Sequence, residues 1–265
     1  MPAAPAERTH QAQAAQSHPS APVSAGTPPL VAGGDSPLHG LEDAAWPLTA
    51  GALRIRPARL EDTEVLHEYW RLPVTQEYTD RSMATWAETR ADLASRLARE
   101  DVLLCVIERE GKGVGDIGGR IRRPHALGRE APVWDMELGY AVHPDHHGEG
   151  IAATAVGEFT RFLHEDLGIR RIIAMVFAEN TASLRVLRKN GYRLEGTQRE
   201  AVLGRRGRWL DDCTLVHRYA DGSSVDPNLT ALLEAGADPD SVEQPAGGLS
   251  PERQLSAGTS WTTRS

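Results

Sequence analysis

Tyr140-Ala141-Val142-His143-Pro144-Asp145-His146-His147-Gly148-Glu149-Gly150-Ile151-Ala152 changes character within one short stretch. It reads as the end of a strand, a hard stop at Pro144, a glycine-rich turn and the start of a helix. Such a turn points several backbone N–H groups in one direction, and the first helical turn adds its unpaired N–H groups and the positive end of its dipole. Together they form a place for an anion, most often phosphate.

Outward from this stretch the core reads in order. Leu53-Arg54-Ile55-Arg56 alternates like an edge strand and stops at Pro57. Leu60 to Arg71 has helical spacing, and Trp86 to Arg99 forms a second helix with Leu93, Leu97 and Ala98 on one side. Residues 101–108 form a buried strand, 110–113 a turn and 114–121 the returning strand. After a polar loop over 124–132, residues 134–142 are the next strand. Ile151 to Leu167 is an amphipathic helix that Gly168 stops. Residues 170–178 form a buried strand, Asn180 caps a helix running to Asn190-Gly191, and two strands around 192–197 and 209–219 flank a hairpin loop at 204–207. The β-α-β unit over 134–178 requires a parallel pair, while the hairpins are antiparallel, so the fold class is α/β with a mixed sheet around one core.

Composition divides the chain into three. Residues 1–50 are rich in Ala, Pro, Ser and Gly and carry a net charge of −3, and residues 221–265 carry −5 of the formal total of −8. Neither end holds enough apolar surface to offset chain entropy, so both are expected to be disordered tails around a domain over 51–220. A nearly neutral core argues against a nucleic-acid partner, which needs a basic face. Cys105 and Cys213 lie in apolar strand-like runs and read as buried thiols, which fits a reducing compartment. No apolar run is long enough to span a bilayer, no apolar signal core is present, and a cytoplasmic location is expected. Leu232 to Asp238 resembles part of an ankyrin repeat but occurs once, and such repeats are stable only when stacked.

The phosphate-bearing ligand has two readings. Gly148-Glu149-Gly150-Ile151-Ala152-Ala153 satisfies G-x-G-x-x-A, and Glu179 closes the next strand, as in a dinucleotide site. Against this, Pro144 to His147 separate the strand from the glycines and several strands come earlier. The second reading rests on motifs in series: Glu137-Leu138-Gly139-Tyr140 and Val142-His143-Pro144; His147-Gly148-Glu149-Gly150-Ile151-Ala152, matching Q/R-x-x-G-x-G/A except at His147; Asn180-Thr181-Ala182-Ser183; Gly191-Tyr192; and Glu195-Gly196. On these residues the region 51–220 resembles the Gcn5-related N-acetyltransferase (GNAT) superfamily, in particular its branch of ribosomal-protein N-terminal acetyltransferases (RimJ/RimL-like).

The resemblance implies a mostly antiparallel sheet with a splayed parallel pair, 134–142 and 170–178. It implies acetyl-CoA as donor, with no metal, and an amine acceptor. His147, Gly148, Glu149, Gly150, Ile151 and Ala152 would hold the CoA pyrophosphate, with Ala141 and Val142 along the pantetheine arm and Asn180 and Ser183 near its end. A main-chain N–H of the first strand would polarise the thioester. Glu137 is the expected base, ahead of Asp135, and Ser183 the expected acid. The Tyr that many relatives carry four residues after this Ser is Leu187 here. His143, His146, His147 and Asp145 have no fixed metal-ligand spacing and read as loop residues beside phosphate. Trp134 and Trp209 are candidates for lining the acceptor pocket.

A peptide α-amine, with a pKa of about 7.7–8.0, costs under about 1 kcal/mol to deprotonate near neutrality, against roughly 4 kcal/mol for a lysine-like amine. This favours a protein N-terminus as acceptor. A small amine such as an amino sugar, amino acid or antibiotic is the alternative, and a CoA-binding regulator without catalysis is an alternative of another class. A monomer or homodimer is expected.

Overall fold

The computed structural model describes residues 36–39, 41, 46–79, 83–127, 133–219 and 234. The expected tail regions and the ankyrin-like stretch lie almost wholly outside these. Among the described residues one eight-stranded sheet has the order β1-β2-β3-β4-β5-β6-β8-β7. The strands are β1 (Leu48–Ala50), β2 (Leu53–Pro57), β3 (Val102–Arg109), β4 (Lys112–Arg122), β5 (Asp135–Val142), β6 (Arg171–Phe177), β7 (Arg193–Leu203) and β8 (Trp209–Arg218). The helices are α1 (Thr63–Trp70), α2 (Pro73–Gln76), α3 (Trp86–Leu97), α4 (Ile151–Glu165) and α5 (Thr181–Lys189). All strand pairs are antiparallel except β5 with β6.

Two expectations change. The strand at 53–57 is not an edge, because β1 pairs with it through Leu48↔Ile55. The sheet therefore begins before residue 51, and Trp46 packs on Phe162 of α4 with ring centroids 5.0 Å apart. In α3 only Thr89 and Leu93 are buried, whereas Leu97 and Ala98 face solvent. The helix is nonetheless well started: the Thr85 hydroxyl accepts from Glu88 N at 3.2 Å and the Glu88 carboxylate accepts from Thr85 N at 2.8 Å, a reciprocal cap that satisfies two orphan donors.

Strand alternation gives the sheet two faces. Met136, Leu138 and Val142 of β5, Ile172, Ala174 and Val176 of β6, and Cys213 and Leu215 of β8 pack with Ala155, Val156, Phe159 and Leu163 of α4 and Leu184 and Leu187 of α5. The other face holds a smaller cluster in which Leu104 and Val106 meet Leu66, Tyr69 and Trp70 of α1 and Leu93 of α3. Asp116 is buried beneath α1 and accepts from the Tyr69 hydroxyl at 2.7 Å and the Trp70 indole N–H at 2.8 Å, as a buried carboxylate requires. On the α4 side, His164 Nδ1–H donates to the Ile169 carbonyl at 2.6 Å. Its Nε2 lies 2.9 Å from His217 Nδ1, and this hydrogen bond ties α4 to β8.

Candidate active site

The parallel pair is short. β5 and β6 stay in register only through Asp135↔Arg171, Met136↔Ile172 and Glu137↔Ile173, although β5 runs on to Val142 and β6 to Phe177. Beyond Glu137 the strands part, as the resemblance implies, and leave a gap with backbone edges on both sides. His143 N bonds Val114 O at 2.8 Å, which points the backbone of the odd-numbered β5 residues toward β4. The groups facing the gap are therefore those of Leu138, Tyr140 and Val142, and Ala141, in register with Asp116, turns its own toward β4.

The glycine turn lies at the end of this gap. Gly148 and Gly150 have φ of +83° and +79°, and a Cβ on either would meet nothing within 4 Å. Glycine is required here by backbone conformation and not by crowding. Gly150 is the N-cap of α4, so the N–H groups of Ile151 and Ala152 open the helix beside the turn. His147 replaces the expected Gln or Arg and uses its side chain locally: Nε2–H donates to the Val142 carbonyl at 3.0 Å, binding the turn back to the end of β5. The Glu149 side chain turns outward to Arg109 and His146, and the Arg109 guanidinium holds its carboxyl below the usual range. Only the backbone of Glu149 is left for the turn. Among the described residues no group of three or more His, Cys, Asp or Glu side chains could hold a metal ion.

α5, capped by Asn180, brings Ser183 beside Tyr140 of β5. The Asn180 carboxamide accepts from Ser183 N at 3.1 Å and starts the helix. The Ser183 hydroxyl lies 2.7 Å from the Tyr140 hydroxyl on β5. Burial pushes the Tyr140 phenol well above its ordinary value, so it stays protonated at neutral pH. Tyr140 was read from sequence only as part of a motif. Its partnership with Ser183 spans two elements and leaves no trace in local spacing.

Glu137 lies on the opposite face of β5, where the ladder to β6 ends, and is partly exposed. Asp135 on the same face is 2% exposed and paired with Arg170 at 2.8 Å, which engages it structurally. Asp212 of β8 also shares this face and was not anticipated. Burial, with the Glu137 charge adding to it, pushes its carboxyl up to about 6. Of the two tryptophans, Trp134 packs on the α4 side with Arg123 4.3 Å over its ring. Trp209 is exposed at the hairpin end of β8. The strand alternation puts neither beside Glu137. Phe177, with the Tyr78 ring 6.2 Å away, is an aromatic residue of β6 on that face.

Comparison with known proteins fits this geometry. Residues 52–193 match the family described as acetyltransferase (GNAT) domain. The uncharacterized N-acetyltransferase YoaA of Bacillus subtilis (strain 168) is 29% identical over 98 residues, covering 37% of this chain and 46% of the relative, so that this match spans about half of it. The L-amino acid N-acetyltransferase AaaT of Escherichia coli (strain K12) is 26% identical over 165 residues, covering 59% of this chain and 92% of the relative. Among solved structures, RimL, a ribosomal L7/L12 alpha-N-protein acetyltransferase in complex with coenzyme A, has a TM-score of 0.57 at 18% identity, covering 65% of this chain and 97% of that one. This last likeness is one of fold.

Proposed function

This chain belongs to the GNAT acetyltransferase family, and we propose that it carries the acetyl group of acetyl-CoA to the α-amine of a protein N-terminus. As a GNAT N-acetyltransferase it uses acetyl-CoA, which supplies the activated acetyl group when bound. The observation that carries the reading is the parting of β5 from β6 beyond Glu137↔Ile173, with the left-handed glycines 148 and 150 at its end.

The residues fit that donor. The backbone N–H groups from Gly148 to Ala152, at the head of α4, would hold the pyrophosphate. His147 fixes this turn to β5, and Tyr140 and Val142 offer main-chain groups along the gap, where an N–H would polarise the thioester carbonyl. Holding both reactants in line makes the largest contribution to rate. Glu137 would take the amine proton on the open face, and the Ser183 hydroxyl, held by Tyr140, would supply a proton to the departing thiolate. Such acid–base help adds typically about 10²–10⁴-fold. The modest catalytic set suits an amine of pKa about 8 better than one above about 10. The fold likeness to RimL agrees with this acceptor, and the sequence likeness to the L-amino acid N-acetyltransferase AaaT favours a free amino acid as the second reading.

The test is thiol release by the full chain with acetyl-CoA and four acceptors: a peptide with a free N-terminus, the same peptide blocked at the N-terminus but carrying a lysine, a free L-amino acid, and a polyamine. The free N-terminus should give a kcat/KM at least about tenfold above the others. Turnover confined to the lysine peptide or polyamine overturns the proposal, and turnover confined to the amino acid replaces it with the second reading. Binding of CoA with no turnover on any amine would point to a regulator.

A further inference from the structure

The described residues include four buried aspartates, Asp62, Asp116, Asp135 and Asp212, at 8%, 1%, 2% and 6% exposure. Three have a hydrogen-bond or ion-pair partner, although Asp135 Oδ1 itself accepts no hydrogen bond. Asp62 accepts both guanidinium arms of Arg56 at 2.7 and 2.8 Å, Asp116 has Tyr69 and Trp70, and Asp135 has Arg170. The Asp212 carboxylate has no hydrogen-bond or ion-pair partner among the described residues. A buried carboxylate left this way is costly to the fold. Here the cost is raised by a second carboxylate, Glu137, whose charge acts on Asp212.

Its surroundings point to a ligand. Asp212 pairs across β6 with Phe177 and across β7 with Gln198. By strand alternation its side chain lies opposite Cys213 and Leu215, on the open face with Glu137. The apolar neighbours on this face are Phe177, Tyr78 and Met175, the last 48% exposed. Three arginines of the hairpin are bonded elsewhere: Arg208 to Glu179 at 2.6 Å, Arg206 to Glu77 at 3.2 Å, and Arg205 to the carbonyls of Gln76 and Thr79. The face thus combines two carboxylates with an aromatic and thioether wall, and these three arginines are bonded to groups other than Asp212.

We infer that Asp212 is an acceptor-binding residue: with Glu137 it forms an anionic end of the acceptor cleft that takes the incoming amine as its ammonium ion. This rests on the assignment of the Glu137 face to the acceptor. A primary ammonium supplies three donors and one positive charge, which compensates the carboxylate left bare in the protein and gives the site a preference for cationic acceptors over neutral ones. Asp212 sets specificity and affinity, while Glu137 remains the group that removes the proton.

The experiment compares wild type with Asp212→Asn as full chains, measuring thiol release against acetyl-CoA with tri-alanine amide as acceptor. The variant should fold at least as well, since it loses an uncompensated charge, and a melting curve at pH 8 checks this. The expected result is an acceptor KM raised at least tenfold, with the KM for acetyl-CoA and kcat at saturating acceptor within twofold of wild type. A merely structural residue would not divide the constants this way. An acceptor KM within twofold of wild type overturns the inference while leaving acetyl transfer standing. If wild type turns over no amine of any class, the acceptor assignment falls and the inference falls with it.

Discussion

Asp212 and Tyr140 are side chains whose behaviour follows from burial. The Asp212 carboxyl is raised to about 6 by desolvation first and the Glu137 charge second. An acid raised in the fold stabilises it fully only below its unfolded value, near 3.9, and that stability is lost as pH rises through about 6. Asp212→Asn should therefore be more stable than wild type by about 1–3 kcal/mol at pH 8, with the difference closing as pH falls from about 6 to about 4. Urea denaturation at both pH values checks this, and a constant difference would place the charge in solvent. Tyr140→Phe keeps the ring and removes the hydroxyl 2.7 Å from Ser183. It should cost about 1 kcal/mol of stability and about tenfold in kcat, with the KM for acetyl-CoA unchanged. An unaltered kcat would take Ser183 out of the leaving-group step.

At the scale of elements, α4 and α5 position the site and lean closely on each other. A Cβ on Gly157 would meet Asn190 Oδ1 at 2.7 Å, and the Asn190 amide donates to the carbonyls of Ala153 and Val186 at 3.0 and 2.9 Å. Gly157→Ala should displace this bridge, and the two lost Asn190 hydrogen bonds, about 1–3 kcal/mol together, should outweigh the roughly 1 kcal/mol that alanine adds within a helix, read as a slightly lower melting point. Elements of this kind were legible in the sequence where the signal is local. Pro144, the two glycines and the three- and four-residue spacing after Ile151 mark the β5–α4 junction within one stretch, and Asn180 and Gly191 mark both ends of α5. What was not legible has a physical cause in each case. β1 is too short to show alternation. Leu97 fits the helical period but falls beyond the surface that α3 buries. Asp212 lies 75 residues from Glu137 in the chain, and its character appears only when β8 comes alongside β6. The same holds for Tyr140 and Ser183.

For the whole molecule, one two-faced sheet separates the two halves of the proposed site. The α4–α5 face carries the turn at 148–152, Tyr140 and Ser183, and the open face carries Glu137 and Asp212. Cys105 and Cys213 are both buried, and burial pushes both thiols up, so neither should react with a thiol reagent in the folded protein. Deletion through residue 50 should lower the melting point, because it removes β1 and the Trp46 ring seated on Phe162. The account turns on the glycine turn as the seat of the donor, and calorimetric titration of CoA into wild type, Gly150→Ala and Gly150→Glu tests it most directly. At φ +79° either side chain strains the turn by about 1–2 kcal/mol, which is a common cost to both. The glutamate adds a negative charge where the pyrophosphate would lie. The account predicts CoA binding in wild type and at least tenfold weaker binding for Gly150→Glu than for Gly150→Ala, with both variants folded. Equal affinity in the three proteins would contradict it.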